Sequence, residues 1–292
     1  MPIIESQVEV LSDEFSANVA AMQASMQKVQ DIEDKVYQTE VSKKERYAQR
    51  KMILPRERLA RLLDPGAPYL ELASLAGYKM YDDRDGTGAG SISGIGYVSG
   101  VRCLVKVDNF AVKGGTITPI GLEKALRMQQ IALENKLPSV TLAQSGGANL
   151  TYAADTFAHG GRGFANQART SAAGIPQITV VHGSATAGGA YQPGLSDYTI
   201  MIRNQATMYL AGPPLLKAAT GEVATDEVLG GAEMHTSHAG TAEYLAEDDA
   251  DGIRIAREIL ATLPWDQQIV KTAALHFKEP LHSQEELLGV VP

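Results

Sequence analysis

Between residues 12 and 51 the chain is polar and free of Gly and Pro, yet Leu11, Phe15, Val19, Met22, Met26 and Val29 recur through it. Steps of three and four place such residues on one stripe of an α-helix, and Ser12 stands where an N-cap is wanted. The pattern predicts a helical arm, either an amphipathic surface helix or an arm that packs on a partner. Residues 55–63 repeat the pattern in short form. Leu59, Leu62 and Leu63 share one face, arginines take the other, and Asp64-Pro65-Gly66 stops the helix by turn chemistry. Residues 82–100 are too dense in glycine for a helix and read as a loop entering a strand. Strands at 92–98 and 101–107 then flank Ser99-Gly100, which predicts a hairpin.

From there the two periodicities alternate. Helices are predicted at 121–135, near 162–173, from Pro213-Pro214 onward, and at 248–260. Strands are predicted at 139–143, 177–182, 198–202 and 207–210, with a glycine-rich turn at 184–189. Acidic residues open the last helix, where the helix dipole favours them. Repeated strand–loop–helix units argue for an α/β layered fold.

Composition narrows the class. The 292 residues are 44% apolar and 21% charged, with a net charge of −8. That is ordinary globular composition, and it lacks the basic footprint of a nucleic-acid binder. No apolar run approaches the roughly 20 residues needed to cross a bilayer, and residues 1–12 carry no basic-then-apolar leader. A soluble protein with no membrane partner is expected. Cys103, the single cysteine, lies among Val101, Leu104 and Val105. It reads as a small buried hydrophobe in place of a catalytic thiol, and the cysteine count fits a reducing cytoplasm.

Several chemistries lack their residues. There is no HExxH, no paired-Cys motif and no Walker loop, and Ser145 has no GxSxG spacing. The Gly86-x-Gly88-x-Gly90 run precedes a strand and does not open a helix. His235 and His238 have no further ligands nearby and read as surface residues. Asp248, Asp249 and Asp251 read as helix N-terminal acids, so no metal site is expected. What remains is two glycine pairs, Ser145-Gly146-Gly147-Ala148 and Thr186-Ala187-Gly188-Gly189-Ala190, each between a buried strand and a helix. Glycine lets backbone approach a ligand, and N–H groups at a helix start have no internal partner. Two such sets converging on one oxygen would make an oxyanion hole.

The strings PRERLARLLDPGAPYLEL (55–72), GIGYVSGVRCLVKVDNFAVKGGT (94–116), SGGANL (145–150), GIPQITVVHGSATAGGAYQPGLSD (174–197) and AGPPLLKAATGE (211–222) carry more. In order, they resemble the carboxyltransferase β subunits of biotin-dependent acyl-CoA carboxylases, most of all the methylcrotonoyl-CoA and geranoyl-CoA branch. The resemblance implies a crotonase-like fold of repeated ββα units with an N-terminal helical arm. It implies that Gly146, Gly147 and Ala148 lie at the thioester carbonyl as the catalytic set. Ser145, Ala165, Gly188, Gly189, Lys113, Gly114, Gly115 and Lys217 are the implied substrate-binding positions, with surface roles equally open to the two lysines. It further implies an acyl-CoA substrate, a carboxybiotin cofactor carried by a biotinylated α subunit, no metal, and a homo- or hetero-oligomer.

Residues 1–52 are thus expected to form the arm, 53–264 the carboxyltransferase domain, and 265–292 a linker toward a C-terminal domain supplied by further sequence or a second chain. Four positions depart from the family pattern. Gln144 stands where many relatives have an acid, Thr151-Tyr152 replace a polar pair, and Ala165 is small where the methylcrotonoyl type tends to an aromatic ring. The last predicts a larger acyl pocket and a substrate longer than methylcrotonoyl. A biotin-dependent decarboxylase subunit and a non-catalytic acyl-CoA-binding or assembly subunit are the alternatives. A hydratase is disfavoured, because SGGANLTYAAD offers Asp155 alone as a carboxylate.

Overall fold

A computed structural model describes residues 8–81, 86–265 and 278–290. The chain divides into two units, Met1–Tyr37 with Ile269–Pro292, and Gln38–Gln268. In the smaller unit the helix α1 (Asp13–Val41), whose last turn belongs to the larger unit, starts as predicted. The Phe15 N–H donates to Ser12 Oγ at 3.1 Å. There Asn18 also donates to the Gly289 carbonyl at 3.2 Å, at the end of a 3-10 turn over Gln284–Gly289 that opens with a Ser283–Glu286 capping box. Residues 266–277 and 291–292 of the predicted linker lie outside the described residues.

The larger unit is built on one sheet, in the order β1 (Leu70–Glu71), β2 (Ser91–Val98), β3 (Val101–Asp108), β4 (Ser139–Ser145), β5 (Gln177–Thr186), β6 (Tyr198–Ile202) and β8 (Tyr244–Ala246). A short β7 (Thr207–Tyr209) pairs with the end of β5. Pairing is antiparallel through β3 and parallel from β3 onward. The predicted hairpin forms, with Ser99 (φ 52°) and Gly100 (φ 80°) in the left-handed region that a two-residue turn demands.

Strand alternation decides the layers. Cys103 and Val105 of β3 join a core with Leu59 and Leu62 of α3 (Pro55–Leu62) and with Ile253, Ala256 and Leu260 of α9 (Asp249–Thr262). Leu104, between them, turns the other way onto Met128 and Ala132 of α4 (Pro119–Glu134), against which α5 (Ala153–Ala172) packs. β4 and β5, covered on both sides, are buried almost throughout, as central parallel strands are. Cys103 is buried, as the sequence implied.

Two elements are longer than predicted. β5 continues past His182 to Thr186, through residues that read as a turn; Gly183 and Ala185 are buried in the sheet. α5 begins at Ala153 instead of near residue 162. Gly160 and Gly161 weaken its helix propensity, but packing on α4 carries the helix through them. Short helices α2 (Lys44–Gln49), α6 (Tyr191–Gly194), α7 (Pro213–Thr220) and α8 (Asp226–Gly230) complete the unit. Among the described residues no helix is long and apolar enough to cross a membrane.

Candidate active site: three backbone loops over a buried polar cluster

In an open parallel sheet the crevice lies beyond the carboxyl ends of the strands. At the ends of β4 and β5, three short loops meet: 113–116, 145–149 and 186–190. Their contacts are intimate enough to demand glycine. Gly115 (φ 65°) presses on the Gln144 carbonyl so closely that a Cβ would stand 2.5 Å from that oxygen, and Gly147 (φ 82°) would place one 2.8 Å from the Thr186 oxygen. A Cβ on Gly189 would touch the Ser145 side chain at 3.3 Å. The two predicted turns are therefore neighbours, and the Lys113-Gly114-Gly115 loop joins them.

Ser145 is buried at the centre of this packing. Its hydroxyl donates to the Gly115 carbonyl at 3.0 Å and accepts from the Gly147 N–H at 3.1 Å. The Ile117 N–H donates to the Gly147 carbonyl and the Asn149 N–H to the Ile117 carbonyl, both at 2.9 Å. Gly147 thus spends both its polar groups on holding the loop. The N–H groups of Gly146, which is exposed, and of Ala148, half-buried, donate to nothing among the described residues. Gly188 sits second in the 3-10 turn Ala187–Ala190, whose opening N–H groups have no partner inside the turn. Across the three loops the one ionisable side chain is that of Lys113.

Two aromatic pairs flank the loops, and pattern reading missed both. Phe164 stacks on Tyr191 with centroids 4.3 Å apart, and the Phe164 ring edge lies 4.0 Å from the Cβ position of Gly188. Tyr81 packs on Tyr152 at 4.9 Å, and Lys113 Nζ lies 5.2 Å from the Tyr81 ring. Ala165 follows Phe164 on α5 and is half-buried. Lys217 lies exposed in the last turn of α7.

Beneath the loops is a cluster of a different kind. Asp249, read from sequence as a helix N-terminal acid, is 1% exposed. Its carboxylate accepts from Arg58 Nε at 3.1 Å, the Ile53 N–H at 2.6 Å and Gln205 Nε2 at 2.5 Å, and pairs with His182 Nδ1 at 2.8 Å. Arg58 Nη1 continues to Gln144 Oε1 at 2.8 Å. Burial alone pushes the Asp249 carboxyl up, but the His182 hydrogen bond and the His182 and Arg58 charges outweigh it and hold the pKa at about 2. Burial first, and Arg58 second, push His182 down to about 4. His182 is therefore neutral near pH 7, donating from Nδ1 to Asp249, while its Nε2 is buried without a partner. Asp248 caps α9 by accepting from the Asp251 N–H, as a helix N-terminal acid should. Among the described residues no group of three or more His, Cys, Asp or Glu side chains is placed to hold a metal.

The geometry meets known proteins at this point. Residues 46–292 match the family described as the carboxyl transferase domain. A solved structure of the geranyl-CoA carboxylase β subunit of P. aeruginosa superposes with a TM-score of 0.92 at 59% identity, covering 100% of this chain and 54% of that one. A probable biotin-dependent acyl-coenzyme A carboxylase β2 subunit of Mycobacterium tuberculosis is 48% identical over 85% of this chain and 46% of its own. A probable mitochondrial methylcrotonoyl-CoA carboxylase β chain of Drosophila melanogaster is 41% identical over 99% of this chain and 53% of its own. The chain spans about half the length of each of these relatives. The resemblance read from five separated motifs is borne out, and with it the crotonase-like α/β fold.

Proposed function

This chain belongs to the carboxyl transferase family, and from that premise we propose that it carries the acyl-CoA-binding half of a biotin-dependent carboxyltransferase. One observation carries the reading: two N–H groups, at Gly146 and Ala148, are left without acceptors on a loop that the Ser145 hydroxyl and the Gly147 and Asn149 backbone bonds hold in shape. The acceptor they fit is the carbonyl oxygen of a thioester. When a proton leaves the carbon conjugated to that carbonyl, negative charge gathers on the oxygen. Fixed backbone donors stabilise it most at that moment, and each is typically worth about 2.7–4 kcal/mol. Ser145 keeps the loop in register without joining the chemistry. Gly188 and Gly189 form the adjoining wall, with Phe164 and Tyr191 beside them as an apolar flank for the acyl chain.

Carboxybiotin, held covalently on a partner subunit, would release its carboxyl group as CO2 for capture by the enolate, and the biotin nitrogen so freed would take up the substrate proton. The donors described above fit the thioester end of the reaction, and the resemblance assigns the biotin side to a second carboxyltransferase domain. A biotinylated α subunit and an oligomeric assembly follow from the same reading.

For the substrate we propose a branched or long enoyl-CoA, methylcrotonoyl- or geranoyl-like, with Ala165 leaving room for the longer chain. The test is carboxylation of C5 and C10 enoyl-CoAs by the enzyme assembled with its biotinylated partner. Higher kcat/KM on the C10 substrate is expected, and a strong preference for C5 refutes the role of Ala165. Failure to carboxylate any acyl-CoA refutes the reading as a whole.

A further inference from the structure

Of the 29 residues of α1 a single one is buried, and it is a carboxylate. Glu40, in the turn of α1 that belongs to the larger unit, is 1% exposed. A buried carboxylate is costly unless donors surround it. Glu40 takes its donors from two separate segments. Oε1 accepts from the Arg56 N–H at 2.8 Å. That amide lies in the first turn of α3, whose N-cap residue Leu54 makes no side-chain cap. The carboxylate therefore caps α3 from another element, at the helix end where the dipole favours negative charge. Two residues on, Arg58 leaves the same helix for Asp249 and Gln144.

The other oxygen, Oε2, accepts from Asn109 Nδ2 at 3.3 Å. Asn109 is buried just beyond the end of β3. Its Oδ1 accepts from the Ala111 N–H at 3.1 Å, so the side-chain amide is oriented from both sides. The Asn109 carbonyl accepts from the Val112 N–H at 3.0 Å, and the Val112 carbonyl from the Gly115 N–H at 2.9 Å. Gly115 is the residue whose carbonyl receives the Ser145 hydroxyl. Hydrogen bonds through one tight turn thus join Glu40 to the clamp of the 145–149 loop.

We infer that Glu40 is a positioning residue for the crevice: one carboxylate fixes both the helix that carries Arg58 and the turn that presents Gly115 to Ser145. It acts through Asn109, at a distance from the thioester. The effect on turnover rests on the carboxyltransferase reading; the hold on the 109–117 segment does not.

Exchanging the two partners tests it. In Glu40→Gln the Arg56 N–H claims the one remaining oxygen, so the new NH2 faces Asn109 Nδ2, donor to donor. In Asn109→Asp two carboxylates face each other. The double variant restores the bond in reverse, the new amide donating to the new carboxylate. Two readouts are taken on the enzyme assembled with its biotinylated partner: steady-state kinetics with an enoyl-CoA, and amide hydrogen exchange at Gly115 and Ile117. Each single variant should lower kcat about tenfold with KM nearly unchanged, because displaced donors lose most at the transition state. Each should speed the exchange, and the double variant should regain most of both. Should Asn109→Asp fail to fold, Glu40→Gln against the double variant gives the same comparison. A residue that merely capped α3 would lower the melting temperature in Glu40→Gln and leave kcat and exchange at parent values. That result, or a double variant no better than the worse single one, overturns the inference. If the parent assembly carboxylates no acyl-CoA, the functional reading fails, and the exchange pattern alone decides whether Glu40 holds the loop.

Discussion

The peptide bond between Gln144 and Ser145 separates two regions with opposite physics. On the Ser145 side the polar groups are main-chain amides at an open crevice, two of them unpaired, and the residues are chosen for lacking side chains. On the Gln144 side the polar groups are long side chains in a sealed core, where Arg58, Asp249, His182, Gln144 and Gln205 bond one another. Backbone donors are poised only as well as the backbone is held. The comparison teaches that the loop's rigidity has two sources, the Ser145 clamp and a buried ionic scaffold one residue behind it.

Breaking the scaffold should have the largest effect. Arg58→Met leaves the Asp249 carboxylate buried without its cation, which typically costs about 3–5 kcal/mol. Scanning calorimetry should show a fall in melting temperature on the order of 10 °C. A variant as stable as the parent would mean the scaffold is dispensable.

Disturbing the loop should cost less stability than breaking the scaffold and should remove activity. In Gly147→Ala the new Cβ meets the Thr186 oxygen, 2.8 Å from its ideal position, at a φ of 82°. Displacing the loop by that contact should lower kcat about 10²–10³-fold, the usual loss when one oxyanion donor is misplaced. Steady-state kinetics of the assembled enzyme reads this directly, and an unchanged kcat would move the chemistry elsewhere.

Acid should loosen the scaffold in two stages. The folded-state pKa of His182 is depressed from 6.5 to about 4, so its contribution is complete above pH 6.5 and is lost as pH falls toward 4. The shift corresponds to about 3 kcal/mol. Asp249, depressed from 3.8 to about 2, keeps its contribution above pH 3.8 and loses it as pH falls toward 2. Denaturant midpoints measured between pH 7 and 4 should drop, and His182→Asn should flatten that limb. A parent protein equally stable at pH 4.5 and pH 7 would contradict the neutral, buried histidine.

The smallest expected effect sharpens the boundary between the regions. Ser145→Ala removes the clamp and leaves the Gly115 carbonyl and Gly147 N–H unpaired, at about 1–3 kcal/mol of stability. Because the glycine contacts remain, kcat should fall about tenfold, with KM nearly unchanged. A loss as large as that of Gly147→Ala would place the hydroxyl in the chemistry itself.

Much of this was legible along the chain. The 92–107 hairpin, the helix with Leu59 and Leu62 on its buried face, and both glycine turns follow from local pattern and turn chemistry. The end of β5 was not, because Gly183 and Ala185 spell a turn and are held in a strand by neighbours on both sides. The start of α5 was hidden by Gly160 and Gly161 in the same way. The aromatic pair Phe164–Tyr191 gave no periodic sign, since one partner lies on α5 and the other opens α6.

The order of elements, the buried strands and the positions where backbone must come close are written locally, because periodicity and the missing Cβ of glycine act within a few residues. Which amides stay unpaired, and which of three neighbouring acids goes into the core, depends on partners such as Arg58, 191 residues from Asp249. Hydrogen bonds and desolvation act through space, so those choices exist only once the sheet has brought the strand ends together.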